Sequence, residues 1–161
     1  MKIFSFFVLL AIVALVASFG SQYMPGEWYS LIHKPSWTPP NWLFGPVWAV
    51  LYLLMTIAAW KVWQEQHPLS DRALLYWLVQ LLLNGAWSWL FFGLNNPGLA
   101  LIEMTVLIIA ISATIRLFRR ISLAAANMLT PYLIWVSFAW ILNLAIWWMN
   151  GAGRKILGFF L

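Results

Sequence analysis

The chain has 161 residues, 64% hydrophobic and 8% charged, with a formal net charge of +5. Soluble domains average about 45–50% apolar and about 25% charged residues, so nine Lys/Arg and four Asp/Glu leave too little polar surface for a water-soluble globule. Cysteine is absent, which excludes disulfides, Cys-ligated metal centres and thiol chemistry, and the basic residues are too few and scattered for a nucleic-acid surface.

A membrane-crossing helix needs roughly 20 mostly apolar residues, because the hydrocarbon core is about 30 Å thick. Five segments qualify, at about 3–20, 46–63, 73–93, 97–117 and 123–149. The fold class they predict is an all-α membrane protein, a five-transmembrane-helix bundle forming one domain over residues 1–161.

Along the chain, Lys2 followed by an apolar run and the small residues Ala17, Ser18, Gly20 and Ser21 also fits a secretory signal. The length of the run and the lack of a clean Ala-x-Ala site favour a span. Residues 21–45 form a long loop with Trp28, Trp37 and Trp42 among Pro25, Pro35, Pro39 and Pro40. Proline fixes φ and pushes the preceding residue extended, so this loop is stiff. It suits a lid over the mouth of the bundle or a segment resting on lipid headgroups. Gly45-Pro46 and Asn96-Pro97 each place Pro at a first helical position. Asn95-Asn96 is a tight turn that makes the third and fourth helices antiparallel neighbours. Pro131, inside the fifth apolar run, predicts a kink.

Orientation follows from Lys and Arg. Lys2, Lys61, Arg72, Arg116, Arg119 and Arg120 fall on the N-terminal side, against Lys34, Arg154 and Lys155 on the other. This balance puts the N-terminus in the cytoplasm and the long loop outside.

Enzyme motifs are scarce. There is no Gly-rich phosphate loop, no HExxH, no GxSxG and no plausible carboxylate pair. His33 and His67 read as solvated loop residues, with a haem-ligand role for His33 as the alternative. No metal site is expected.

What remains is aromatic and amide chemistry on helix faces. Trp48, Tyr52 and Met55 share a face of the second helix, and Gln80, Asn84, Trp87 and Phe91 share one of the third. Trp135, Ala139, Leu142 and Ile146 form a stripe on the fifth, with Asn143 alongside. Ordinary interhelical packing, with amides as glue, is the alternative for any one of these residues. Interfacial belts account for tryptophans near helix ends such as Trp28, Trp63, Trp147 and Trp148. They do not account for Trp48, Trp87 and Trp135 facing inward with Gln80, Asn84 and Asn143, which suits a flat, conjugated, sparsely polar ligand. Glu103 is the one acid inside a span, in about the second turn of the fourth helix. It reads either as functional or as a headgroup-level charge.

Three runs carry a family resemblance. The first is Trp28-Tyr29-Ser30-Leu31 through Lys34-Pro35-Ser36-Trp37-Thr38-Pro39-Pro40-x-Trp42 and Gly45-Pro46-Val47-Trp48-x-x-Leu51-Tyr52-x-x-Met55. The others are Leu83-Asn84-x-x-Trp87-Ser88 with Phe91-Phe92-Gly93, and Pro131-Tyr132-Leu133-x-Trp135-x-x-Phe138-Ala139-x-x-Leu142-Asn143. Together they resemble the TspO/MBR family, the tryptophan-rich sensory proteins and translocator proteins, or peripheral-type benzodiazepine receptors.

The resemblance implies a dimeric five-helix bundle in a bacterial cell membrane, with a ligand cavity under the first loop. It implies a sensor or translocator of porphyrins such as protoporphyrin IX, or of another planar hydrophobic ligand. No cofactor is required, the porphyrin being the ligand. By matching position, the ligand-binding residues are Trp37, Trp48, Tyr52, Asn84, Trp87, Trp135, Phe138, Ala139 and Leu142. The sterol-recognition pattern of animal members is missing, since Leu144 and Trp148 stand where it needs Tyr and Arg. The alternatives are a small-molecule transporter and a light-dependent porphyrin-degrading enzyme, in which Trp48 is the one residue with a catalytic role. Leu144 replaces the second tryptophan of that activity.

Overall fold

A computed structural model describes residues 2–151. Among them the regular structure is all helical, with no strand. The helices are α1 (Lys2–Ser21), α2 (Glu27–Leu31), α3 (Asn41–Gln64), α4 (Ser70–Ser88) continued by a π-helical turn (Trp89–Gly93), α5 (Pro97–Arg119), α6 (Leu123–Met128) and α7 (Thr130–Met149). Arg154 and Lys155, counted above for orientation, lie outside the described residues. Five stretches are long and apolar enough to span a membrane: α1, α3, α4 with its π turn, α5, and α6 together with α7. The protein is an integral multi-pass membrane protein, and each span turns large apolar side chains outward, among them Phe4, Leu53, Leu82, Ile109 and Ile134.

Helix ends differ from expectation in four places, each with a local cause. The second span starts at Asn41, well before Pro46, because Pro40 (φ −63, ψ 143) is the last extended residue. Pro46 therefore lies inside α3, where the one amide it lacks would have reached back to Trp42. The third span starts at Ser70, whose hydroxyl accepts from the His67 amide at 3.2 Å and donates to the Val62 carbonyl at 3.0 Å. That span ends in the π turn, closed by a bond from the Leu94 amide to the Trp89 carbonyl at 2.8 Å. In the fifth span the expected kink is a break: α6 stops at Met128, Leu129 joins the two helices, and Pro131 falls in the first turn of α7. The Asn95-Asn96 turn is present. Asn95 takes the left-handed conformation (φ 52), and Asn96 caps α5 by accepting the Leu99 amide at 3.0 Å.

α4 packs on α5, and α5 on α7; α1 lies across α3 and α4, and α3 packs on α6. The core between them is built from side chains such as Val13, Met55, Trp77, Leu81, Leu107, Phe118 and Tyr132. Trp77 is almost wholly buried and donates its indole N–H to the Met55 carbonyl at 3.2 Å, tying α4 to α3. The α1–α4 crossing depends on a missing side chain. A Cβ on Gly85 would lie 2.7 Å from Val16 Cγ1, closer than Cβ atoms pack, and the β-branched valine is stiff about χ1.

Gly85→Val is therefore expected to lower the melting temperature in mild detergent, with a cost of about 1–3 kcal/mol from overpacking. Val16→Ala in the same chain should recover part of that loss. A Gly85→Val protein that melts with the unaltered one would show that α1 does not approach α4 this closely.

Candidate ligand-binding site

The inner aromatic wall is assembled from α3, α4 and α7. On α3, Trp48 and Tyr52 stack at 5.3 Å with an interplanar angle of 29°. One turn of helix separates them, so the stack is a direct result of their spacing. The Tyr52 hydroxyl donates to Asn84 Oδ1 on α4 at 2.9 Å. Further along that face, Trp87 stacks on Phe91 at 5.2 Å and 27°. The Trp87 indole N–H donates to Asn143 Oδ1 on α7 at 3.4 Å, and Asn143 Nδ2 donates to the Pro97 carbonyl at the start of α5 at 2.7 Å. Two amides and two aromatic donors thus link α3 to α4, and α4 to α7 and α5. Within a bilayer each such bond is worth about 0.6–2 kcal/mol.

α7 completes the wall. Trp135 meets Phe44 edge to face at 5.8 Å and lies 5.6 Å from Phe138, and Tyr132 meets Trp48 at 6.2 Å. Ala139 and Leu142 follow on the same helix. Trp37 reaches the wall from the loop, half-exposed, with its ring edge to face on Phe138 at 5.9 Å.

Two hollows adjoin this wall. One, only about 30 Å³ in volume and so closed to anything much larger than a water, lies under the loop and is lined by Tyr29, Phe44, Trp87, Phe91, Phe92, Ala139, Leu142, Asn143 and Ile146. Its room is that of a single water. The other is an open groove of about 810 Å³, lined by Val47 and Leu51 of α3, Asn127 of α6, and Thr130, Pro131, Ile134, Trp135 and Phe138 of α7. The break at Leu129 opens it: α6 packs on α3, and α7 then stands off, bridged by side chains. The groove is within the volume range of small-molecule sites, about 300–1,000 Å³. Phe44 lines the closed hollow and Trp135 the groove, so this edge-to-face pair stands between them.

The expected site residues are therefore divided. Trp87, Ala139 and Leu142 border the closed hollow, and Trp135 and Phe138 border the groove. Trp48, Tyr52 and Asn84 form the bonded wall beside them, and Trp37 sits at the rim. Ile146, the last residue of the α7 stripe, lines the hollow as its spacing suggests. Tyr29, Phe44 and Phe92 line it too and were not among the expected site residues. Phe44 fell in a stretch read as loop, and Phe92 is turned inward by the π turn. Trp28 packs edge to face on Phe91 at 5.7 Å, and Trp63 and Trp148 are exposed.

Several buried polar atoms near the wall have no hydrogen-bond partner: the Tyr132 hydroxyl, Trp135 Nε1, Gln80 Oε1 and both Glu103 carboxylate oxygens. Gln80 is otherwise held, its Nε2 donating to the Trp77 carbonyl at 2.8 Å. In the loop, burial pushes the Tyr29 phenol above its ordinary pKa. The Lys34 ammonium lies 4.5 Å from the centre of the Tyr29 ring and donates to the Tyr29 carbonyl. Of the two histidines, His33 is exposed, and His67 accepts the Leu69 amide at Nδ1 at 3.1 Å. Among the described residues no group of His, Asp and Glu could hold a metal.

Comparison with known proteins agrees with this architecture. The profile of the TspO/MBR family matches residues 5–149. The chain is 35% identical to the protein CrtK of Rhodobacter capsulatus over 158 residues, covering 97% of this chain and 99% of that protein. It is 40% identical to the tryptophan-rich protein TspO of Archaeoglobus fulgidus over 144 residues (88% and 94% of the two chains), and 38% identical to the translocator protein of Homo sapiens over 141 residues (84% and 83%). A five-span bundle with a tryptophan-rich inner wall, matched over nearly its whole length, belongs to the TspO/MBR family.

Proposed function

We propose that this protein binds a planar, largely apolar tetrapyrrole such as protoporphyrin IX against the α3–α4–α7 wall and acts as its sensor or translocator. One observation carries the reading: α3 and α4 present stacked indole, phenol and phenyl rings, α7 adds the Trp135 and Phe138 rings, and cross-span amide bonds tie the three spans together. Rigid π-faces with few polar groups match a conjugated macrocycle. The name of one relative, translocator protein, supports the same reading.

The closed hollow is too small for such a guest, so binding needs the wall to open. Turning the Phe44–Trp135 pair about its χ angles would join the hollow to the groove without moving a helix. The unpartnered Trp135 N–H, on the groove side, would then offer a donor to the carboxylate edge of the macrocycle. The protein needs no cofactor in this reading. It acts as a homodimer in a bacterial cell membrane, with its N-terminus in the cytoplasm.

Protoporphyrin IX should quench the intrinsic tryptophan fluorescence saturably, and Trp48→Ala combined with Asn84→Ala should weaken binding at least about tenfold, the factor equal to about 1.4 kcal/mol. An unchanged affinity would remove the wall from the site. Phe44→Ala, which deletes the partition, should speed porphyrin association in stopped flow; an unchanged rate would mean that the hollow and the groove do not join.

A second reading, light-dependent breakdown of the bound porphyrin with Trp48 as redox partner, is favoured by the Trp48–Tyr52 stack and opposed by Leu144. Bleaching of the Soret band under illumination no faster than with free tryptophan would dispose of it.

A further inference from the structure

Asn150 is the C-cap residue of α7, held where the chain turns away at Gly151 in the left-handed conformation (φ 87). Its side chain makes three hydrogen bonds. Oδ1 accepts the His33 amide at 2.9 Å, and Nδ2 donates to the His33 carbonyl at 2.8 Å and to the Ile146 carbonyl of its own helix at 2.7 Å. The carboxamide thus pairs with both backbone groups of one loop residue, as a neighbouring strand would, across 117 positions of sequence. Asp lacks the donor, a hydrocarbon side chain lacks both groups, and Gln is one methylene too long for the same approach.

The place of this bond gives it consequence. Tyr29, on the same loop as His33, lines the closed hollow from that side; Ala139, Leu142, Asn143 and Ile146 line it from α7. Asn150 therefore fastens one wall of the hollow to the other. The ring contacts of the loop, Tyr29 on Phe92 at 5.4 Å and Trp37 on Phe138 at 5.9 Å, hold it down. They carry little directional preference compared with paired hydrogen bonds.

We infer that Asn150 is a positioning residue that latches the loop shut through the backbone of His33 and thereby sets how fast a guest enters and leaves the hollow. The latch stands on its own geometry; its effect on a guest rests on the porphyrin reading above. Both partners are exposed, so the bonds open and close at the edge of the bundle without disturbing the core.

The test is amide hydrogen exchange of the full chain in lipid nanodiscs, without porphyrin. His33 is an exposed residue whose amide is bonded to Asn150, so its exchange reports the latch directly. Asn150→Ala should raise exchange there by about tenfold, as loss of a net hydrogen bond of about 1.4 kcal/mol implies. Asn150→Asp keeps the acceptor and should leave the His33 amide more protected than Asn150→Ala does. Equal exchange in the unaltered and Asn150→Ala proteins would overturn the latch, whatever the ligand is.

With the latch shown, protoporphyrin IX association and dissociation should both quicken in Asn150→Ala, while the equilibrium affinity moves much less. Faster exchange with unchanged porphyrin rates would overturn the gating role. If the unaltered protein fails to bind porphyrin, the functional reading falls and the exchange arm still decides the latch.

Discussion

A carboxamide placed inside a bilayer has no water to turn to, so its hydrogen bonds must come from the chain itself. Asn84 and Asn143 meet that demand with partners on other spans: the Tyr52 hydroxyl for one, the Trp87 indole and the Pro97 carbonyl for the other. Apolar contact between helices in lipid supplies little direction, since the acyl chains are as apolar as leucine. These polar bonds, few in number, therefore fix the rotation of α3, α4 and α7 about their axes. The same rotation sets Trp48 against Tyr52 and Tyr132, Trp87 against Phe91, and Trp135 against Phe44 and Phe138.

The rings of the wall pack densely enough to shut the hollow beside it. Stacked pairs, edge-to-face pairs and the loop residue Tyr29 fill the space under the loop, while the break at Leu129 opens a groove on the other side of the Phe44–Trp135 pair. The hollow and the groove are thus parted by two rings, Phe44 on one side and Trp135 on the other. The loop closes the hollow from another side, and Asn150 joins it to α7. The unpartnered donors and acceptors at Tyr132, Trp135, Gln80 and Glu103 show that the closed arrangement does not satisfy every polar group it buries.

Much of this was legible in the sequence. Helical spacing placed Trp48 with Tyr52, and Asn84 with Trp87 and Phe91, on single faces, and the structure stacks or bonds them as that spacing requires. The five spans were legible from length and apolarity alone. What escaped depends on where backbone geometry departs from a uniform helix. Pro46 looked like a first residue because proline is well tolerated there. Pro40, earlier in the chain, already ends the extended segment, so the helix is under way before Pro46 is reached. The π turn adds a residue per turn that no spacing rule anticipates, and it brings Phe92 inward. Trp77 sits among leucines, so nothing local marked its indole N–H as a bridge to α3. Asn150 bonds to a residue 117 positions away, a pairing that only the folded chain displays.

The central claim is that rings on α3, α4 and α7 face one guest. Fluorine NMR of the protein labelled with 5-fluorotryptophan, titrated with protoporphyrin IX in nanodiscs, tests it most directly, because a macrocycle shifts the resonances of the rings it lies against. The account predicts shifts concentrated on Trp48, Trp87 and Trp135, each assigned by substitution, with Trp63 and Trp148 at the membrane-facing surface unmoved. Shifts confined to Trp63, Trp148 and the exposed Trp42 would place the porphyrin on the outside of the bundle and contradict it.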